Sequence, residues 1–136
     1  MSSRYDDFQA FRTRLNERIL GEGTADRPSG TLNTKRFFTL DGNCYKAGAL
    51  DVKTKELLGL VASMVLRCDD CIAYHIDQCL KAGCTPAELF EAFDVALIVG
   101  GSIVIPHLRR GVEFMDEVVG RGDGSQSRRP EDAAGT

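Results

Sequence analysis

Apolar residues recur every three or four positions along most of this 136-residue chain, which is the spacing of one face of an α-helix. The first such segment covers residues 4–20. Small polar residues, with three glycines and a proline, end it over residues 21–30. The pattern is weaker over residues 33–48, because Gly42 and Gly48 interrupt it. We expect short helices joined by a turn in that stretch.

The next helix signal is stronger. Asp51 can cap a helix that runs to about Arg67. Its central stretch LLGLVASMVL, residues 57–66, carries no charge on any face. A helix that is apolar all round lies either in a core or against other subunits, and both interpretations stay open for this segment.

Three more helices are expected in the rest of the chain. The helix over about residues 69–82 is closed by Gly83, which stands in the position favoured after a helix end. The sequence TPAE at residues 85–88 has the form of a capping box with proline at the first helical position. A last helix runs from the glycine pair at 100–101 to about Val119. No stretch of useful length alternates like a strand, so the predicted fold class is all-α, with about six helices.

Composition is ordinary for a globular chain, with 43% hydrophobic and 27% charged residues. The length favours one domain. We therefore predict a single all-helical domain over residues 1–119. The sequence from Gly120 to Thr136 has almost nothing to bury and is predicted to be a disordered tail over residues 120–136.

Charge and hydropathy exclude several partner classes. The net charge is −3. The sequence has no basic stripe of the kind that binds nucleic acid, so we do not expect such a partner. The longest apolar run, residues 96–106, is shorter than the roughly 18 residues of a membrane span. The first residues, MSSRYDDFQAF, place acids where a signal peptide has its apolar core. We expect a cytoplasmic protein with no membrane partner.

Five cysteines in such a chain change the picture. Disulfides that only brace a fold are rare in the cytoplasm, where a close cysteine pair is more often catalytic or metal-binding. The stretch RCDDCIAYH, residues 67–75, contains such a pair, Cys68 and Cys71, followed by His75. The remaining cysteines at 44, 79 and 84 are interpreted as core residues.

On a helix, Cys68, Cys71 and His75 fall on one stripe at about 100° per residue. A helix N-terminus stabilises a thiolate, and His75 is one turn away, within reach to exchange a proton. The pattern therefore favours an activated thiol, a resolving thiol and a base. There are two alternatives: the three residues could be ligands of a metal site, or they could be core residues that happen to be neighbours. Taken alone, Glu56 and His107 are interpreted as a surface glutamate and a helix-start residue.

Residues 48–108 resemble the carboxymuconolactone decarboxylase family. Within them, a glutamate followed twelve residues later by C-x-x-C-x-x-x-H is similar to the alkylhydroperoxidase D branch. The resemblance implies that Cys68 and Cys71 are a redox pair, that His75 is a relay histidine, and that Glu56 is a relay acid. In that branch the cysteine nearer the histidine attacks the peroxide, which assigns attack to Cys71 and resolution to Cys68. The helix dipole alone would favour Cys68.

The resemblance implies a thiol-dependent hydroperoxide reductase that assembles into trimers or hexamers. Its electrons would come from a dithiol donor such as a lipoyl-bearing protein, and we expect no bound cofactor and no metal. Asp70 departs from the branch, whose best-studied form has a histidine there, and this bears on the rate, the reductant and the substrate. Two alternatives stay open: a decarboxylase-type lyase that uses His75 and Glu56, and a non-enzymatic redox sensor.

Overall fold

The computed structural model of the protein describes residues 3–122, and within them it contains only helices and their connections. The helices are α1 Arg4–Leu20, α2 Leu32–Cys44, α3 Val52–Val65, α4 Asp69–Lys81, α5 Pro86–Gly100, a short 3-10 turn Ser102–Val104, and α6 Ile105–Gly122. The predicted all-α fold with about six helices is confirmed.

Most of the predicted helix starts coincide with observed caps. Asp51 accepts a hydrogen bond from the backbone N–H of Thr54 at 2.7 Å and begins α3. At the start of α5, Thr85 and Glu88 form the reciprocal pair of a capping box. These side chains satisfy N–H groups that have no partner within the helix.

The prediction of short helices over residues 33–48 is wrong. A single helix, α2, runs through Gly42 to Cys44. A capping box between Thr31 and Thr34 fixes its start. One glycine costs a helix only about 1 kcal/mol relative to alanine, so it does not break a helix that is well capped.

The chain divides after Tyr45 into two compact units. The first contains α1 and α2, and neither helix has a buried residue. Its connecting loop is held to the end of α1, where the N–H of Gly30 donates to the carbonyl of Ile19 at 2.7 Å.

The second unit begins at Lys46 and contains α3 to α6. Helix α6 continues to Gly122, three residues beyond the predicted end near Val119. The single domain over residues 1–119 stays a prediction, and residues 123–136 of the predicted tail lie outside the described residues.

Helix α4 is central to the second unit and has the largest number of buried residues of the helices from α3 to α5. Gly111 lets α6 approach it closely, since a Cβ at that position would be 3.3 Å from the Cγ2 atom of Ile72. The core around α4 is completed by side chains from its neighbours: Leu60, Met64, Leu89, Phe93, Phe114 and Val118. This packing fixes the helix that carries the cysteine pair.

The uncharged stretch of α3 is only half covered within the chain. Leu60 and Met64 are fully buried, whereas Leu58 and Leu66 are 56% and 77% exposed. A groove between α3 and α5 is lined mainly by apolar side chains, among them Leu57, Val61, Val65, Ala92 and Val95. Within residues 3–122, no helix is both long enough and apolar enough to cross a membrane.

Candidate active site

The site begins at the corner between α3 and α4, which is built from residues 63–68. The N–H of Cys68 donates to the carbonyl of Ser63 at 3.1 Å, and the N–H of Arg67 donates to that of Met64 at 3.0 Å. This is the hydrogen-bond pattern of a Schellman motif. Its left-handed position is occupied by Arg67, with φ of 60°, where glycine is usual. The motif brings the chain directly from α3 into the first turn of α4.

Cys68 and Cys71 form a disulfide at the start of α4, with their Cα atoms 5.2 Å apart. Cys68 is the N-cap residue of the helix, and its sulfur accepts a hydrogen bond from the N–H of Cys71 at 3.3 Å. Cys71 is exposed and Cys68 is partly exposed. Both sulfurs therefore lie at the positive end of the helix dipole, where a thiolate is stabilised.

His75 lies one turn after Cys71 and is bound to Glu56. The Nδ1 atom of His75 is 2.8 Å from the Oε2 atom of Glu56, across 19 residues of sequence. Glu56 is fully buried and His75 is 7% exposed. The second carboxylate oxygen, Oε1, has no hydrogen-bond partner among the described residues. Since the carboxylate engages Nδ1, the other ring nitrogen of His75 is Nε2.

The structure thus brings together all four predicted site residues in the second unit. Cys71 and His75 stand four residues apart on α4, a spacing at which Cβ atoms are about 5–6 Å apart. Glu56 reaches His75 from α3. The interpretation of Glu56 as a surface glutamate, made from its spacing alone, is wrong, because α3 turns this side chain towards α4 and buries it.

Gly59 is a site residue that the sequence analysis did not identify. It lies on α3, three residues after Glu56. A Cβ at Gly59 would be 2.5 Å from the Cε1 atom of His75 and 2.8 Å from its Nε2 atom. A side chain here would overlap the imidazole, so the ring would have to shift from its present position beside Glu56. The available signal was an isolated glycine inside a helical pattern, which often has a packing reason.

The second histidine also binds a carboxylate. His107, the third residue of α6, places its Nδ1 atom 2.7 Å from the Oδ1 atom of Asp69. Arg110 approaches the other oxygen of Asp69 at 3.5 Å. These contacts tie α6 to the first turn of α4, next to Cys68. The departure at Asp70 does not take part in this cluster, and Asp70 is exposed.

The other cysteines have different surroundings. Cys79 and Cys84 are buried, as predicted, but Cys44 is exposed on α2, so its assignment to a core is wrong. Within residues 3–122, no three or more His, Cys, Asp or Glu side chains are grouped so that they could hold a metal ion.

Comparisons with known proteins agree with this fold. The sequence model of the carboxymuconolactone decarboxylase family matches residues 33–113. A crystal structure of a protein of that family from Thermotoga maritima, for which a part in the antioxidative response has been suggested, is 53% identical; the match covers 90% of this chain and 98% of that one, with a TM-score of 0.79.

Two more distant relatives are similar over a large part of the chain. The ligand-free structure of a carboxymuconolactone decarboxylase family protein from Legionella pneumophila is 25% identical, covering 86% of this chain and 98% of that one, with a TM-score of 0.69. An uncharacterised protein of the cox locus of Paracoccus denitrificans is 29% identical over 84 residues, which are 62% of this chain and 76% of that protein.

Proposed function

Because the chain belongs to the carboxymuconolactone decarboxylase family, we propose that it is a thiol peroxidase of the alkylhydroperoxidase D type. The observation that carries the proposal is the Cys68–Cys71 disulfide, with the buried pair of His75 and Glu56 one turn further along. The role in the antioxidative response suggested for the Thermotoga maritima relative supports the same chemistry.

In the proposed reaction, His75 takes the proton of Cys71, and the thiolate attacks the O–O bond of a hydroperoxide. The bond from Cys71 sulfur to oxygen forms as the O–O bond breaks, and the leaving alkoxide takes a proton from His75. Cys68 then attacks the resulting sulfenic acid, an S–S bond forms, and water leaves. The two sulfurs lose two electrons and the peroxide gains them.

Exposure supports Cys71 as the attacking thiol. Cys71 is more exposed than Cys68 and is nearer to His75 along α4. The hydrogen bond from the N–H of Cys71 to the sulfur of Cys68 suits the second role, since it stabilises Cys68 as a thiolate when the disulfide is opened.

Glu56 would hold His75 in one tautomer and stabilise the imidazolium that forms when Cys71 loses its proton. Burial strengthens this effect, because the two groups interact in a low-dielectric environment. The unpartnered Oε1 atom of Glu56 is costly to bury. Buried polar atoms without a hydrogen-bond partner are rare in native proteins, and a catalytic role is one reason for them. An oxygen of Glu56 that can accept a proton fits a role in the relay.

The reductant in this proposal is a dithiol, such as that of a lipoyl-bearing protein, acting in the cytoplasm. It attacks the exposed disulfide, forms a mixed disulfide, and releases the reduced pair on a second attack. Neither a bound cofactor nor a metal takes part in these steps, and no nucleic acid or membrane is involved.

The test is a single turnover with the reduced protein and one equivalent of an organic hydroperoxide. We expect rapid loss of two thiols and a disulfide mapped to Cys68 and Cys71 by mass spectrometry. The Cys68→Ser variant should stop at a sulfenic acid on Cys71 that dimedone traps. If both thiols survive at the rate of an ordinary free cysteine, the peroxidase proposal fails.

The buried contact between Glu56 and His75 also fits a second function, a lactone-processing lyase with bystander cysteines. An acid–base pair of this kind can move protons on a carbon acid without a thiol. Replacing both Cys68 and Cys71 by serine distinguishes the two functions. That variant keeps lyase turnover if the second function is correct and loses peroxide turnover if the first is correct.

We also propose that the protein is a homo-oligomer, a trimer or a hexamer. Its second copy would cover the apolar face of α3 and α5, where Ile98 and Val99 are 87% and 67% exposed. Exposed apolar surface of this extent marks an interface. Light scattering after gel filtration should show an oligomer that the Ile98→Asp substitution dissociates. A monomeric wild-type protein would contradict the proposal.

A further inference from the structure

A second pair of thiols lies at the other end of α4, in the corner built from residues 79–84. The N–H of Cys84 donates to the carbonyl of Cys79 at 2.9 Å, and the N–H of Gly83 donates to that of Leu80 at 3.1 Å. Gly83 has φ of 97°. This is a complete Schellman motif, which frequently brings the side chain of the residue after the left-handed position against the residue five positions earlier. Here those two residues are both cysteines.

The surroundings of the pair differ between its members. Cys79 is fully buried, whereas Cys84 keeps 5% exposure. A hydrogen bond with Cys79 lowers the pKa of Cys84, and the ammonium of Lys53 lowers it further, whereas burial and the carboxylates of Glu88 and Glu56 oppose this shift. The same hydrogen bond and burial raise the pKa of Cys79. Of the two thiols, Cys84 is the one with the lowered pKa and also the one that keeps some exposure.

We propose that Cys79 and Cys84 are a second oxidation site, separate from the Cys68–Cys71 pair, which hydrogen peroxide converts into a disulfide. Cys84 attacks one oxygen of hydrogen peroxide, the O–O bond breaks, and a sulfenic acid and water form. Cys79 then attacks the sulfur of Cys84, the S–S bond forms, and a second water leaves. Two electrons pass from the two sulfurs to the peroxide.

Direct exchange with the first disulfide does not account for such a bond. Cys71 and Cys79 are eight residues apart on α4, a separation of about 12 Å along the helix axis. The second site therefore needs its own encounter with an oxidant. Its closure would tie the loop at Cys84 to the last turn of α4, in the region where the charge of Glu56 acts on both thiols.

Tryptic mapping tests the proposal, because the chain has cleavage sites after Arg67, Lys81 and Arg109. A bond between Cys79 and Cys84 joins the peptides 68–81 and 82–109. The Cys68–Cys71 bond stays inside the first peptide. We use the Cys68→Ser, Cys71→Ser double variant, in which Cys79 is the only cysteine of the first peptide, treat it with hydrogen peroxide and then alkylate the remaining thiols. We expect two thiols to be lost and the joined peptides 68–81 and 82–109 to appear.

Two further samples keep the test decisive. The Cys79→Ala change, added to the double variant, should leave a dimedone-reactive sulfenic acid on Cys84 and abolish the joined peptides. If the double variant does not fold, fragmentation spectra of the joined peptides from the wild-type protein locate the same bond. Exposed Cys44, in peptide 37–46, is the internal reference. The proposal is overturned if Cys44 is oxidised while Cys79 and Cys84 are both recovered as free thiols, or if Cys84 is oxidised without a bond to Cys79.

Discussion

The two corners at the ends of α4 have the same backbone and different chemistry. Each is a Schellman motif, over residues 63–68 at the first corner and residues 79–84 at the second. Each delivers a cysteine to the position after the left-handed residue, Cys68 or Cys84. The first corner leads into a helix N-terminus, and its cysteine pairs forward with exposed Cys71. The second ends a helix, and the N–H of its cysteine donates to the carbonyl of buried Cys79.

The comparison shows that the same backbone motif can place a cysteine in very different electrostatic surroundings. At the first corner, unpaired N–H groups and the helix dipole stabilise a thiolate. In the proposed reaction, His75 and Glu56 supply a route for the proton. At the second corner, α4 presents its negative end, and the neighbouring thiol and Lys53 lower the pKa of Cys84. We therefore expect fast, repeated chemistry at the first corner and a single slow oxidation at the second.

The largest expected effect comes from replacing one cysteine of the first pair. The matched replacement in the second pair should have little effect. The Cys71→Ser substitution should abolish hydroperoxide turnover, since it removes the proposed attacking atom. The matched Cys84→Ser substitution should leave turnover close to that of the wild-type protein. Steady-state consumption of an organic hydroperoxide with a dithiol reductant measures both. Equal loss in the two variants would remove the functional distinction between the corners.

The next effect separates the two histidines. Replacing His75 with glutamine should lower the rate of the first oxidation step about 10²- to 10⁴-fold, the range of a general base. The matched His107→Gln substitution should change that rate by less than about fivefold, since the partly exposed pair of His107 and Asp69 is expected to contribute about 0–1 kcal/mol. Stopped-flow measurement of thiol loss over a range of pH gives both rates. A large fall for His107→Gln alone would move the relay to the Asp69 cluster.

The helices of the second unit could be predicted because the residues that begin and end them act on backbone groups close to them in the sequence. Asp51, Thr85 and Gly83 act within four residues of their own position, as caps and a left-handed turn. The first corner gave no such signal. The helix boundary near Arg67 was predicted, but Arg67 occupies a left-handed position where glycine is usual, so the Schellman motif there could not be predicted from residue type.

The site could be predicted in part. The spacing of Cys68, Cys71 and His75 fixes their common stripe, because all three belong to one helix or its cap. The contact of Glu56 with His75 crosses 19 residues and depends on how α3 packs against α4. Only the family resemblance pointed to it. Gly59 was missed for the same reason, since the atoms that it makes room for belong to another helix.

A smaller effect is expected from Gly59→Ala, which tests whether the space around His75 limits the rate. The added Cβ would overlap the imidazole of His75 and force it away from Glu56. A shift of 1 Å at a reacting group can cost about 10²-fold, so the partial shift allowed here should cost about tenfold. The measurement is the rate of thiol loss, with its pH profile. The Gly120→Ala variant, at an exposed helical position where a Cβ meets nothing within 4 Å, is the control. An unchanged rate for Gly59→Ala would mean that the ring has room to adjust.

The smallest effect concerns the backbone that the two corners share. Gly83→Ala places a Cβ on a residue with φ of 97° and should lower the free energy of unfolding by about 1–2 kcal/mol. Arg67→Gly relieves the left-handed conformation at the first corner. Although glycine adds entropy to the unfolded chain, we expect a net increase in the free energy of unfolding of about 0.5–1 kcal/mol. Urea unfolding of the reduced proteins measures both changes. If the free energy of unfolding falls in Gly83→Ala and rises in Arg67→Gly, the two corners have the same motif at different conformational cost. If Arg67→Gly is destabilised instead, the arginine side chain itself stabilises the first corner.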